Sequence, residues 1–295
     1  MQINKKNIVR ITFVFLIVLT ALFLFFNVYE GFIKEDKEFD FRRPFDEYPL
    51  PPSNIQSNNF KYTALIVEPR KHKALDFVLN NFVDNLDAND WQVVVIHGNK
   101  NESFVKDIIE KMDSTSQKRI QTANLGVDNI SVKQYSELFF NPKFYDYIPT
   151  ETFLIFQNDT MIFKENKDKI NKFLYYDYVG APWTSSTVGN GGLSLRRKSK
   201  MLNLLNLYKT LAIQKMPGPY GKYVAEDVFF CGAITPPGTV YKPSAQEASQ
   251  FSVEAVYNDA PFGTHKCWHL TLPKKDLERF KKRYPEVQKL IDLNK

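Results

Sequence analysis

A carboxylate at the end of an apolar strand can hold a hard cation, and Asp159 stands at such a place. Phe153-Leu154-Ile155-Phe156 carries no charge, Gln157-Asn158-Asp159-Thr160 interrupts it, and Met161-Ile162-Phe163 resumes it. Ligands of open α/β sheets gather at the carboxyl ends of strands. A divalent cation held there by oxygen can in turn hold a diphosphate. The same Asp could equally do no more than open a turn before Thr160. Glu226-Asp227 precedes the apolar run Val228-Phe229-Phe230. One acid there can cap a helix, and the other can act as a general base on a hydroxyl. Phe262-Gly263-Thr264-His265-Lys266-Cys267-Trp268-His269 gathers two of the four histidines beside a Lys and a Trp. Imidazole suits a metal, ammonium suits a phosphate, and indole suits the face of a sugar ring.

These residues sit in a chain that alternates strand and helix signals. Tyr62 to Val67 reads as a buried strand ending at Glu68-Pro69-Arg70. Leu75, Val78, Leu79, Phe82 and Leu86 have helical spacing. Trp91 to Ile96 is a second strand, Phe104 to Met112 a second helix, and Ile120 to Leu125 a weaker strand. Tyr135 to Phe140 is a short helix before the strand at 153–156. The pattern predicts a mostly parallel, doubly wound α/β sheet. Further on, Tyr178 to Trp183 is a short strand running into a loop, Leu193-Ser194-Leu195 alternates as a strand, and Lys198 to Lys209 is helical. Gly189-Asn190-Gly191-Gly192 lets backbone approach a ligand closely, or permits a turn. It is not the dinucleotide-binding loop, because Glu68-Pro69-Arg70 occupies the point after the first strand where that loop belongs.

The 295 residues are 43% apolar and 15% aromatic, enough for one large domain with appendages. The net charge of +6 is concentrated at the ends. Residues 1–29 hold Lys5, Lys6 and Arg10 and no acid. Residues 271–295 hold eight Lys/Arg against four Asp/Glu, which leaves the body, 30–270, at −1. A nucleic-acid surface is therefore not indicated. Nineteen uncharged residues, Ile11 to Tyr29, span about 28 Å as a helix, the thickness of a bilayer core. No small-x-small cleavage site follows Phe25-Phe26-Asn27-Val28-Tyr29. Basic residues before this segment and acidic ones after it predict a type II signal anchor. The expected organisation is a cytoplasmic tail over 1–10, a transmembrane anchor over 11–29 and a Pro-rich polar stem over 30–60. A lumenal or periplasmic body over 61–271 and a basic C-terminal helix over 272–295 follow. Cys231 and Cys267 could pair once beyond a membrane or stay free, and Asn101 and Asn129 head glycosylation sequons.

Taken in order, the Asp159 motif, Gly189-Asn190-Gly191-Gly192-Leu193-Ser194-Leu195-Arg196, Glu226-Asp227-Val228-Phe229-Phe230 and Phe262-Gly263-Thr264-His265-Lys266-Cys267-Trp268 resemble the GT-A glycosyltransferases over about 60–270. The arrangement is most similar to a little-characterised glycosyltransferase-like family with an Asn-Asp-Thr or Thr-Asp-Thr metal motif. Glu226-Asp227-Val228 is also similar to the Glu-Asp-Val motif of the inverting β1,3-galactosyltransferase and Fringe group. The resemblance implies a GT-A-like, Rossmann-like sheet flanked by helices. It implies a UDP-sugar donor, Mn²⁺ or Mg²⁺, a glycan or glycoprotein hydroxyl as acceptor, and transfer with inversion. Asp159 and His265 would hold the metal, and Asp227, or alternatively Glu226, would deprotonate the acceptor. Val67, Glu68, Arg70 and Asn158 would face the nucleotide, Gly191 and Gly192 the donor sugar, Lys266 a phosphate, and Trp183 or Trp268 a sugar ring. The common metal motif has two Asp flanking one residue. Here Gln157 or Asn158 replaces the first, leaving Asp159. The alternative is a non-catalytic protein of the same fold that binds glycans or nucleotide sugars.

Overall fold

Uncharged runs become strands because both of their faces can be buried. The computed structural model describes residues 50–214, 224–268 and 272–295, all within one compact unit, Phe45–Lys295. The expected tail 1–10, the anchor 11–29 and the first part of the stem lie outside the described residues. Among the described residues no helix is long and apolar enough to cross a membrane. The strands are β1 (Tyr62–Glu68), β2 (Trp91–His97), β3 (Ile120–Asn124), β4 (Thr152–Ile155), β5 (Thr160–Ile162), β6 (Tyr178–Gly180), β7 (Ser194–Arg197), β8 (Ser252–Val253) and β9 (Gly263–His265). Six of them form one sheet in the order β3-β2-β1-β4-β7-β6. Its first four strands are parallel, and β7 runs antiparallel to both β4 and β6. The mostly parallel α/β sheet expected from the alternating pattern is present.

Successive side chains in a strand point to opposite faces, and both faces of this sheet are covered. Ala64, Ile66, Val93, Val95 and Leu154 pack against Leu75, Val78, Leu79 and Phe82 of helix α1 (Leu75–Asn85) and Val105 and Ile108 of α2 (Glu102–Glu110). A short α3 (Ser114–Lys118) leads into β3. Leu65, Val67, Val94, Ile96, Phe153 and Ile155 pack on the other side. They meet α4 (Val132–Phe140), α5 (Lys198–Gln214) and α6 (Glu226–Phe230) through Leu138, Phe139, Met201, Leu204, Phe229 and Phe230. Cys231 belongs to this second core and Cys267 to the first. Both are free, buried thiols, and burial pushes each up to about 11.

The chain continues through α7 (Ala245–Phe251) into a smaller sheet of order β5-β9-β8. The end of the chain departs from the single basic helix expected over 272–295. Pro285 follows the break at Tyr284, giving α8 (Lys274–Arg283) and α9 (Glu286–Leu293). Basic residues face solvent, but Phe280, Tyr284, Val287 and Leu290 are fully buried in the first core. At about 1.5–3 kcal/mol for each large apolar side chain buried, this segment is an integral part of the body. Residues 50–56, inside the expected stem, lie along β3. Gln56 N–H donates to Gln121 Oε1 at 2.9 Å, Gln121 Nε2 donates to Gln56 O at 3.0 Å, and Asn54 Nδ2 donates to Thr122 O at 3.2 Å.

Candidate active site

The strand order reverses beside β1: the chain leaves β1 for β2 and β3 on one side, then returns to β4 on the other. Such a reversal opens a crevice at the carboxyl ends of the strands. Glu68 ends β1 there, 4% exposed. Arg70 donates to it three times at 2.8 Å, from N, Nε and Nη2. Asn158, after β4, donates its amide to Glu68 Oε2. Asn101 Nδ2 closes the corner, donating to Glu68 O at 2.8 Å and Arg70 O at 2.9 Å. Asn101 is 0% exposed, so its sequon offers no acceptor in the folded chain.

Thr160 shapes the turn that presents Asp159. Its Oγ1 donates to Gln157 O at 2.7 Å and its N–H to the same carbonyl at 3.1 Å. The small sheet then brings the late histidine alongside, because Thr160 pairs with His265 in the β5–β9 register. His265 Nε2 lies 3.4 Å from Asp159 Oδ1, and Nδ1 lies 3.4 Å from Glu254 Oε1. Burial opposes a charge on this ring, but Asp159 and Glu254 outweigh it and raise His265 to about 10. Burial pushes the Asp159 carboxyl up, while His265 and then Lys266 more than offset it and leave it below its ordinary value. Lys266 follows with φ of 42°, a left-handed conformation that costs a non-glycine residue about 1–3 kcal/mol. Its N–H donates to Asp159 O at 2.9 Å.

The glycine pair links this cluster to the second one. A Cβ on Gly191 would stand 2.6 Å from Glu226 Oε1 and 2.8 Å from Asp227 Cβ, and one on Gly192 would collide with the His265 ring. Neither acid caps α6, whose N-cap is Ala225. Glu226 instead forms a buried bidentate pair with Arg196, at 2.5 and 3.1 Å. Arg196 is 0% exposed on β7, between the rings of Phe139 and Tyr178. Asp227 is partly buried and, among the described residues, is in no ion pair. Its Oδ1 accepts from Val228 N–H at 2.8 Å and its Oδ2 from Gly191 N–H at 3.2 Å. Burial, and then the charge of Glu226, push the Asp227 carboxyl up to about 7.

A cavity of about 490 Å³ fills the crevice. Val67, Glu68, Arg70, Asn158, Asp159, His265 and Lys266 all line it, together with His72, Tyr135, Glu254 and Asn294. Gly191, Gly192 and Asp227 lie beside it, behind His265. Trp183 packs on Gly189 and on the second core, and Trp268 packs on the first core; neither lines this cavity. Among the described residues no three His, Cys, Asp or Glu side chains converge as a metal cage. Asp159 Oδ1, Asn158 Oδ1 and His265 Nδ1 are nonetheless buried without a hydrogen-bond partner. Orphaned hard oxygens beside an imidazole fit a Mg²⁺- or Mn²⁺-like ion, which takes one or two carboxylates and completes its shell from phosphates and water.

Several of these residues carry no local sequence signal. Glu254 arrives through the pairing of two strands of two and three residues, and Asn294 reaches Asn158 O at 3.0 Å from the last turn of the chain. Arg196 did carry one: an Arg on an otherwise buried, alternating strand needs a buried partner.

A family described as "Protein of unknown function (DUF5672)" matches residues 119–265, 147 of the 295 residues. The span includes Asp159, Gly191, Gly192, Asp227 and His265 but not β1 and β2. No curated protein sequence matches the chain. Among solved structures it is similar to the galactosyltransferase LgtC in complex with donor and acceptor sugar analogues. That likeness has 12% identity and a TM-score of 0.47, over 76% of this chain and 95% of that one. It is similar to the glycosyltransferase GlyE of Streptococcus pneumoniae at 11% identity and a TM-score of 0.48, over 79% of this chain and 62% of that one. It is also similar to 4-diphosphocytidyl-2C-methyl-D-erythritol synthase of Anaerococcus prevotii, at 11% identity and a TM-score of 0.41, over 77% and 96%.

Proposed function

We propose that this chain is a glycosyltransferase of the GT-A type. It would move a sugar from a nucleotide-diphosphate donor, a UDP-sugar, to a hydroxyl of a glycan or glycoprotein. The observation that carries the reading is Asp227: a carboxyl held near 7 and aimed by two backbone N–H groups. It stands across a glycine pair from the cavity's Asp159–His265 cluster. A base tuned to neutral pH is what removal of a proton from a hydroxyl needs. Glu226 is committed to Arg196, so the base role falls to Asp227. The acceptor oxygen would attack the anomeric carbon as its proton passes to Asp227, while the bond from that carbon to the diphosphate breaks. Glu68, Arg70 and Asn158 would seat the nucleotide, and Lys266 a phosphate. Asp159 and His265, with Asn158 Oδ1 beside them, would hold Mn²⁺ or Mg²⁺, which offsets charge on the leaving diphosphate when bound. The anchor expected over 11–29 would place this body on the lumenal or periplasmic side of a membrane.

The missing first Asp of the metal motif favours a second reading, a protein that binds nucleotide sugars or glycans without turnover. A panel of UDP- and GDP-sugars, with Mn²⁺ or with EDTA, separates the two. Release of nucleotide with Mn²⁺, abolished by Asp159→Asn in a protein that still melts normally, is the expected result. Donor binding without turnover on any acceptor or water would leave the binding protein.

A further inference from the structure

The Asp159 motif is one carboxylate short, and the small sheet brings a second into the same row. Ser252 pairs with Gly263 and Val253 with Thr264 in parallel register, so the residue after β8, Glu254, falls beside His265 at the end of β9. Antiparallel β5 sets Asp159 on the other side of β9. The imidazole therefore stands between two carboxylates, with Nε2 3.4 Å from Asp159 Oδ1 and Nδ1 3.4 Å from Glu254 Oε1. Gly192 backs the ring so closely that a Cβ there would overlap it. A histidine that binds a cation through Nε2 must carry its proton on Nδ1, and that proton needs an acceptor that fixes the ring's tautomer and orientation.

We propose that Glu254 is a positioning residue of the cation site. On cation binding the 3.4 Å approach of Glu254 Oε1 to Nδ1 closes into a hydrogen bond that holds the Nδ1–H tautomer of His265 and turns the Nε2 lone pair toward Asp159, and Glu254 adds the negative charge that the 157–159 motif lacks. It acts through His265 and touches neither cation nor donor. The proposal rests on reading the cavity as a cation–diphosphate site.

The test is Mn²⁺ binding to the full chain without nucleotide, followed by EPR. The nitrogen hyperfine coupling from a bound imidazole is recorded in the same samples. Asp159→Asn should abolish binding. Glu254→Gln keeps an acceptor but loses the charge. It should weaken Mn²⁺ binding about 10–100-fold and diminish the nitrogen coupling, with an unchanged melting midpoint and unchanged UDP binding in EDTA. Glu254→Asp, which keeps the charge on a shorter arm, should recover part of the affinity. If Glu254→Gln binds Mn²⁺ within twofold of wild type while Asp159→Asn does not bind, the role of Glu254 is overturned and the cation site stands. If wild type binds no better than Asp159→Asn, both fall. Should Glu254→Gln fail to fold, Glu254→Asp decides: affinity and coupling equal to wild type overturn the proposal, and a measurable loss of both supports it.

Discussion

Replacing Asp227 with Asn distinguishes a base from a structural acid by the sign of the stability change. The folded chain raises this carboxyl from its ordinary 3.8 to about 7, through burial and then the charge of Glu226. A raised carboxyl contributes its full stability below about pH 4 and loses it as pH climbs to about 7. At roughly 1.36 kcal/mol per pH unit the gap amounts to about 4 kcal/mol at pH 8. Asn carries no such burden. It accepts from only one of the two N–H groups now on Asp227, from Val228 at 2.8 Å and Gly191 at 3.2 Å. A stranded donor costs about 1–3 kcal/mol. Asp227→Asn should thus be more stable than wild type by about 1–3 kcal/mol at pH 8 and less stable by about as much near pH 4. Transfer should fall about 10²–10⁴-fold, about 3–5 kcal/mol of barrier. Thermal unfolding at the two pH values, with initial rates of nucleotide release, measures all of this. A variant that loses about 1 kcal/mol at both pH values, as a lost cap would, and still transfers near the wild-type rate refutes the assignment.

Glu226→Gln leaves Arg196 buried without a counter-charge and should destabilise the fold by about 3–5 kcal/mol in urea titration. With one neighbouring acid gone, the acidic limb of the kcat/KM profile should move to lower pH. Gly192→Ala drives a methyl into the His265 ring, and a displacement on the order of 1 Å should cost about a hundredfold in Mn²⁺-dependent rate; full activity would show that the ring needs no such close backing. Protease added to sealed vesicles should spare residues 60–295, and digestion of the body from the cytoplasmic side would reverse the proposed orientation.

The central strands were legible because a strand buried on both faces must be largely apolar, as Ala64 to Val67 and Val93 to Ile96 are. Polar residues that end such strands, Glu68 and Asp159, could be placed at the crevice for the same reason. Pairings between short strands could not be read: nothing in Ser252-Val253-Glu254 announces that it lies beside Gly263-Thr264-His265. The adjacent acids Glu226 and Asp227 looked interchangeable in sequence, and the difference comes from Arg196, thirty positions away. Trp183 and Trp268 look like platforms for a sugar ring by type and company; both are partly buried against the two cores and neither lines the cavity. Proline and polar residues before 60 suggest a loose linker, because side-chain amides that fasten a segment leave no periodicity.

That fastening bears on how the sheet is kept from growing. β3 is an outer strand of the six-stranded sheet, and an uncovered outer strand is a template for a neighbouring chain to add to. Here Asn54 and Gln56 occupy its free side through Thr122 and Gln121 rather than by forming another strand. Tyr147 secures the same segment by donating its hydroxyl proton to Pro51 O. A fragment begun at residue 61, where composition alone would start the folded body, keeps every strand of the sheet but strips this guard and leaves the edge open to self-association. One begun at 45 retains it.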